Sequence, residues 1–308
     1  MWRAKPDIVQ GVEPFAVSQL PYQFVIFLYA VIRQVPLIGG VHISRPLAEK
    51  YGRLPALLLK YLLQPYLRYT RFFFYMNEGG RRNLREMGVP ERKMVRHMYG
   101  TWGVDLNEFA TNRDGREPEW QGPTLLFVGR IDAEKGIFDL LEAFELVQRE
   151  VPIVRLVMIG DGPQRAEVER VIHDCYSPDQ VSCLGTVKNR DLPPYFRAAT
   201  IFVSPSVTTR KWEEYVGMTN IQAMASGVPV VSTRSGAIPE YVPNGVAGIL
   251  VPERNPVALA EAILTLLTDD ALRQRIGEAG RAHAVARYDA GANVRHAEEI
   301  ILDRCLNQ

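Results

Sequence analysis

The chain has 308 residues, room for two domains of ordinary size, and 47% of them are hydrophobic, ample for two cores. A formal net charge of +1 supplies no global field for nucleic acid, and the three cysteines, odd in number and without metal-ligand spacing, fit a reducing compartment better than a disulfide scaffold. The charge is nevertheless uneven: residues 1–110 carry an excess of seven positive charges and the remainder an excess of six negative ones.

In chain order, 7–10 reads as a short strand and 17–33 as a helix. Asp7 and Glu13 interrupt any charged-then-apolar start of the kind a secretory signal needs. Phe15 to Ile32 is free of charge and long enough to invite a transmembrane reading. Ser18, Gln19, Pro21 and Gln23, with Pro36 and Gly39-Gly40 close behind, favour a core helix beside a buried strand instead. That strand, 35–41, ends at His42. Residues 47–68 read as helix interrupted at Pro55 and Pro65. A strand at 72–76, a helix at 78–87 and a strand at 94–98 follow. The polar run NRDGREPEWQGP within 111–123 then reads as an interdomain linker between domains at 1–110 and 124–288, with 289–308 a C-terminal helix.

Beyond it, strands at 125–128, 154–159, 180–184, 201–203 and 228–231 alternate with helices near 137–149, 163–174, 191–198 and 217–226. Such alternation predicts a parallel α/β sheet covered on both faces, with ligands at the strands' carboxyl ends. The tail from 256 to 306 reads as helix broken near Gly280 and Tyr288.

The strand ends hold suitable chemistry. Gly129-Arg130 follows one strand and Lys135-Gly136 opens the next helix, so two cations and a helix N-terminus could clamp a diphosphate; solvated loop charges would give the same pattern. Gly160-Asp161-Gly162-Pro163 is a tight turn at the next strand end, weak evidence by itself. The densest chemistry lies in 211–240, KWEEYVGMTNIQAMASGVPVVSTRSGAIPE. Gly217 opens a helix whose first-turn N–H groups can meet a phosphate, Glu214 lies just outside that end, and Gln222 stands two turns in. An ordinary strand–helix–strand core unit would also read this way.

Taken together, FVGRIDAEKGIFDLLEAF, LVMIGDGP, VSCLGTVKNRDLPPYFRAA, IFVSPS and EEYVGMTNIQAMASGVPVVSTRSGAIPEYVPNGVAGILVP resemble the nucleotide-sugar domain of the retaining glycosyltransferases of family 4, the glycosyl transferases group 1. The first half agrees: KPDIVQGVEPF resembles the family's strand and acidic turn, PLIGGVHIS its strand ending in histidine, and YGTWGVDLNEF the segment before its crossover. The resemblance implies a GT-B architecture, two Rossmann-like parallel-sheet domains with C-terminal helices returning to the first. The family's opening strands have no counterpart here, so the N-terminal domain is expected to be incomplete.

Residue by residue, the resemblance implies a donor site of Gly129, Arg130, Lys135, Gly160, Val187, Glu214, Gly217, Met218, Thr219 and Gln222. Arg130 and Lys135 would neutralise the leaving diphosphate, with no metal and no cofactor. Glu214 matches the first glutamate of the family's E-x7-E motif, near the donor sugar. Gln222 stands where the second belongs, at the ribose, and lacks its charge. The amides of Gly217, Met218 and Thr219 would meet phosphates or sugar, Val187 the base, and His42 the donor sugar and acceptor. By its residues alone, His42 equally fits a histidine satisfied at a strand end.

The implied activity is sugar transfer from a nucleotide-diphosphate-sugar co-substrate to a hydroxyl, with retention, in cell-surface polysaccharide or glycolipid synthesis. A non-catalytic nucleotide-sugar-binding partner subunit, or an inactive truncated fragment, is the alternative. Glycan or lipid-linked acceptors and a cytoplasmic location are expected, and nucleic acid is not. Between residues 45 and 100, 12 Lys/Arg against 4 Asp/Glu are interleaved with aromatic and aliphatic residues. Arg68, Arg71, Arg81 and Arg82 are thus candidates for peripheral contact with an anionic inner membrane face; a solvated face over a core is the other reading.

Overall fold

The computed structural model describes residues 5–112, 115–210 and 212–306. The chain divides into two compact units, Met1–Gly103 with Ala290–Gln308, and Val104–Asp289.

The first unit is built on four parallel strands, β1 (Val9–Gln10), β2 (Leu37–Val41), β3 (Phe72–Tyr75) and β4 (Met94–Arg96), side by side in chain order. Helices α1 (Leu20–Arg33), α2 (Leu47–Tyr51), α3 (Arg53–Tyr69) and α4 (Glu78–Glu86) form the crossovers. Alternate strand residues go to opposite sides. Leu37, Val41, Phe73 and Tyr75 join Tyr29, Leu59 and Leu63 in one cluster, while Ile38, Phe72 and Phe74 join Ala297 and Cys305 of the chain's last helix in another. A parallel sheet covered on both faces needs this unbroken apolar run.

The expected breaks at Pro55 and Pro65 do not occur. The chain breaks at Gly52, whose φ of 95° only glycine adopts readily, and Pro55 falls in the first turn of α3, where no N–H partner is needed. Pro65 lies within α3 on its exposed side, where water can take the carbonyl it leaves unbonded.

The second unit has β5 (Thr124–Val128), β6 (Arg155–Ile159), β7 (Val181–Cys183), β8 (Ile201–Ser204), β9 (Val230–Thr233) and β10 (Gly248–Val251). All are parallel, in the order β10-β9-β8-β5-β6-β7. Its helices are α5 (Ile137–Glu150), α6 (Arg165–Cys175), α7 (Pro193–Ala198), α8 (Met218–Ala225), α9 (Ile238–Tyr241), α10 (Pro256–Thr268) and α11 (Asp270–Arg287). The final α12 (Ala290–Cys305) belongs to the first unit.

The strand order reverses between β5 and β8, which opens a crevice at their carboxyl ends. β10 has no counterpart in the sequence reading: four residues after a one-turn helix carry too little period to register. Gly280 does not break the tail but lies inside α11, against Met224; the break falls at Asp269, whose side chain accepts from Leu272 N and caps α11.

The polar run expected as a linker packs on the second unit. Glu117 and Arg197 form a buried ion pair at 2.6 Å, and Trp120 lies against Tyr195 with ring centroids 6.2 Å apart. Composition suggested a linker because the pairing partner lies 80 residues away. Arg113 and Asp114 of that run, and Lys211, lie outside the described residues. The units divide where Val104 bridges Asp289.

Candidate active site

At the end of β5 the chain turns through Gly129 and Arg130 into a 3-10 turn, Ala133–Lys135, before α5. Asp132 caps that turn, its Oδ1 accepting from Lys135 N at 3.1 Å, and so fixes where the lysine side chain departs. Lys135 Nζ lies 2.6 Å from Glu214 Oε2 and 4.6 Å over the Trp212 ring. Ser206, just past the end of β8, donates to the same Glu214 oxygen at 3.2 Å. A cation and a carboxylate separated by 79 residues thus meet at the crevice where the strand order reverses. Both side chains are under 20% exposed, so desolvation offsets much of their attraction, and the pair positions charge more than it stabilises the fold.

Arg130 is held differently. Its guanidinium bonds Asp132 at 3.0 Å and Glu134 at 3.3 Å on its own loop, with the side chain 57% exposed. The two cations of the expected clamp therefore start from unlike environments. Gly129, Arg130, Gly160 and Val187 line one cavity of about 270 Å³ at the ends of β5, β6 and β7.

Gly217, at φ 76°, precedes α8, leaving the N–H groups of Met218 and Thr219 at the helix start without an intrahelical acceptor. The Ser235-Gly236 turn closes on the same loop, Ala237 N donating to the Glu214 carbonyl at 2.8 Å. Gln222 is buried, and its Nε2 donates to Asn189 Oδ1 at 2.8 Å, beyond the end of β7. Sequence reasoning missed the side chains of Ser206, Trp212 and Asn189. It also missed Glu253, which accepts from Thr208 N and Oγ1 at 2.8 and 2.7 Å and ties the ends of β8 and β10 together. None stands at a telling spacing; the parallel sheet collects them.

In the first unit His42 follows β2, its side chain 40% exposed and its Nδ1 3.1 Å from Glu13 Oε2. Glu13 is buried and also accepts from the backbone N–H of Phe15, His42 and Ile43. The acidic turn named from sequence thus supplies a partner that sequence could not assign. Burial pushes the Glu13 carboxyl up, against the pull of the His42 side chain and those N–H groups. A raised native value means that the neutral form is favoured by folding. Its contribution is complete below the ordinary value of 4.5 and is lost as pH rises through the native value. Glu13→Gln is expected to flatten that part of the stability–pH curve, read by thermal melts of both proteins across pH. Parallel curves would contradict it.

Among the described residues no group of three or more His, Cys, Asp or Glu side chains is placed to hold a metal ion.

The profile of the glycosyl transferases group 1 family matches residues 109–283, more than half of the chain. Over 194 residues the chain is 32% identical to a GDP-mannose-dependent alpha-(1-6)-phosphatidylinositol monomannoside mannosyltransferase of Mycobacterium tuberculosis, covering 60% of this chain and 50% of that protein. It is 32% identical over 217 residues to a D-inositol 3-phosphate glycosyltransferase of Corynebacterium kroppenstedtii, covering 65% and 47%. The chain spans about half the length of these curated relatives. Its fold matches the crystal structure of Anabaena HepE in complex with UDP and glucose, with a TM-score of 0.75 at 19% identity, covering 97% of this chain and 79% of that one. That likeness places the two parallel-sheet units in the GT-B fold.

Proposed function

The chain belongs to the glycosyl transferases group 1 family, and from that premise we propose that it moves a sugar from a nucleoside diphosphate donor to an acceptor hydroxyl, with retention and without a metal. The observation that carries this reading is the Lys135–Glu214–Ser206 cluster at the crevice between β5 and β8. A diphosphate leaving there develops negative charge beside the Lys135 ammonium and the first-turn amides of α8, with Arg130 free to swing from its loop carboxylates. Glu214 is held by Lys135 and Ser206 so that its remaining acceptor capacity faces sugar hydroxyls. His42, oriented by Glu13, belongs to the acceptor side of the reaction.

The M. tuberculosis relative is named for GDP-mannose, and the Anabaena protein was solved with UDP; the nucleoside diphosphate is what they share. We place the activity in the cytoplasm, with a glycan or lipid-linked acceptor, in glycan or glycolipid assembly. The test is release of nucleoside diphosphate from a panel of sugar nucleotides with acceptor alcohols and a chelator present, and NMR of the product's anomeric centre. Binding of the nucleotide without turnover on any acceptor would make the chain a binding partner instead.

Gln222 gives a second check. With Nε2 engaged by Asn189, its carbonyl remains to accept from the ribose hydroxyls. Gln222→Leu is expected to weaken nucleoside diphosphate binding by about 1–3 kcal/mol in calorimetry. Gln222→Glu should hold or tighten it with the Asn189 amide turned to donate, since a carboxylate accepts more strongly. Unchanged affinity in the leucine variant would remove Gln222 from the ribose.

A further inference from the structure

Helices α1 and α3 of the first unit are apolar on both sides. Their inner stripes, Ala30, Leu59, Leu63 and Leu67 among them, are core. Their outer faces present Tyr22, Phe24 and Ile32, and Leu58, Tyr61 and Leu62, each at least 55% exposed. The two helices pack together: the Phe27 ring meets those of Tyr66 and Tyr69 at 6.4 and 5.8 Å, and Tyr69 Oη donates to the Ala30 carbonyl at 2.8 Å. A crossover helix facing only water is polar outward, so an apolar outer face on two neighbours marks an interaction surface.

The charge on this surface has one sign. Neither helix contains Asp or Glu, while Arg33, Arg53, Lys60 and Arg68 are all present. At the carboxyl ends of both helices, by the amino ends of β2, β3 and β4, opens a pocket of about 740 Å³ lined by Arg68, Arg71, Arg92, Lys93 and Arg304, with Asp303 as the carboxylate in its lining. Lys93 Nζ donates to the carbonyls of Arg68 and Thr70, both at 2.7 Å. Arg304 donates to the Arg92 carbonyl at 2.9 Å and lies over the Phe72 ring, so both cations are fixed in place. Burial pushes the Lys93 ammonium down, and the neighbouring Arg92 and Arg71 add to it to a smaller extent. His42 lies at the opposite, carboxyl, end of β2.

We propose that α1 and α3 lie in the interface of an anionic phospholipid bilayer, with a lipid phosphate headgroup seated in the five-cation pocket at their carboxyl ends. Apolar side chains flanked by cations match the acyl–headgroup boundary, where both kinds of contact contribute at once. A second copy of the chain fits worse, because a twofold interface would set the helix cations against themselves with no carboxylate on either helix. Among the described residues no helix is long and apolar enough to cross a membrane, so the surface lies on the bilayer. Of the cations expected from sequence, Arg68 and Arg71 line the pocket. Arg81 is instead paired with Glu78 and Glu91, and Arg82 donates to the Ser44 carbonyl.

The experiment is flotation of the 308-residue chain with phosphatidylcholine vesicles, with and without phosphatidylglycerol. Binding is expected to require phosphatidylglycerol at low salt and to fade at high salt. Leu58→Glu with Leu62→Glu should lower partitioning about tenfold or more. Arg71→Gln with Arg92→Gln should lower binding to the anionic vesicles about 30-fold, roughly fivefold per cation. Far-UV circular dichroism and a thermal melt of each variant report that the first unit, which carries all four substitutions, is folded. The proposal is overturned if the parent chain ignores anionic vesicles at low salt, or if either double variant floats as well as the parent. Light scattering that finds a dimer dissolved by Leu58→Glu, without flotation, assigns the face to a second copy. Binding of glycerol phosphate in the pocket without flotation assigns the pocket to free phosphates.

Discussion

Lys135→Ala is expected to lower kcat/KM for sugar transfer about 10²-fold, on the order of 3 kcal/mol of lost transition-state stabilisation. The size of the effect follows from how the ammonium is held. It is under 20% exposed, 2.6 Å from Glu214 and stacked on Trp212, so little reorganisation is needed when negative charge develops beside it. Removing it also takes from Glu214 the cation that compensates it, turning the carboxylate into a repulsive one facing an anion. Arg130→Ala should cost less, about tenfold, because that guanidinium is more than half exposed and already shared between Asp132 and Glu134. Kinetics at saturating and limiting donor, beside calorimetry of the free nucleoside diphosphate, separate binding from chemistry. Equal losses in the two variants would return the clamp to two equivalent cations, and near-normal turnover in Lys135→Ala would remove the lysine from the reaction.

Gly160→Ala is expected to be the most damaging single methyl group in the second unit. The residue follows β6 at φ 149°, and an added Cβ would stand 1.8 Å from the Gly129 carbonyl oxygen, on the loop after β5. Neither side can yield, because Gly129 N donates to the Ile159 carbonyl and Gly160 N to that of Gly185, tying the ends of β5, β6 and β7 together. The combined clash and backbone strain should cost about 3–5 kcal/mol. Gly245→Ala is the matched control: φ is 75°, yet nothing lies within 4 Å of the added carbon. Strain alone, about 1–2 kcal/mol, is expected there. Chemical denaturation of the three proteins distinguishes the cases, and equal stabilities would show that the β5 loop moves aside.

Where hydrophobic period and turn residues agreed, sequence sufficed. The strands β5 to β9 and the helices α5 to α8 follow from apolar runs bounded by Gly, Pro and Asp, because such short segments must be buried or left as turns wherever the chain goes. The reading failed where local pattern and long-range contact diverged. Gly280 looked like a break but is a packing glycine in α11. Pro55 looked like a break but sits in the one helical turn that does not need its N–H. NRDGREPEWQGP looked like a linker but carries half of a buried ion pair.

The candidate site divides the same way. Arg130, Lys135, Glu214, Gly217 and Gln222 were legible as residue types beside strand ends and helix starts. Their grouping was not, since a spacing of 79 residues between Lys135 and Glu214 encodes nothing locally. The sequence by itself determined the α/β class and the residues on the carboxyl rim, which rest on local patterns, and the family, which rests on several motifs in a fixed order along the chain. Tertiary structure alone decided that Lys135 rather than Arg130 holds Glu214, that Glu13 stands behind His42, and that the outer sides of α1 and α3 are apolar. The physical reason is shared: parallel strands bring loops distant in sequence to one edge, and a helix apolar on two sides shows its exposed side only once the other has been buried.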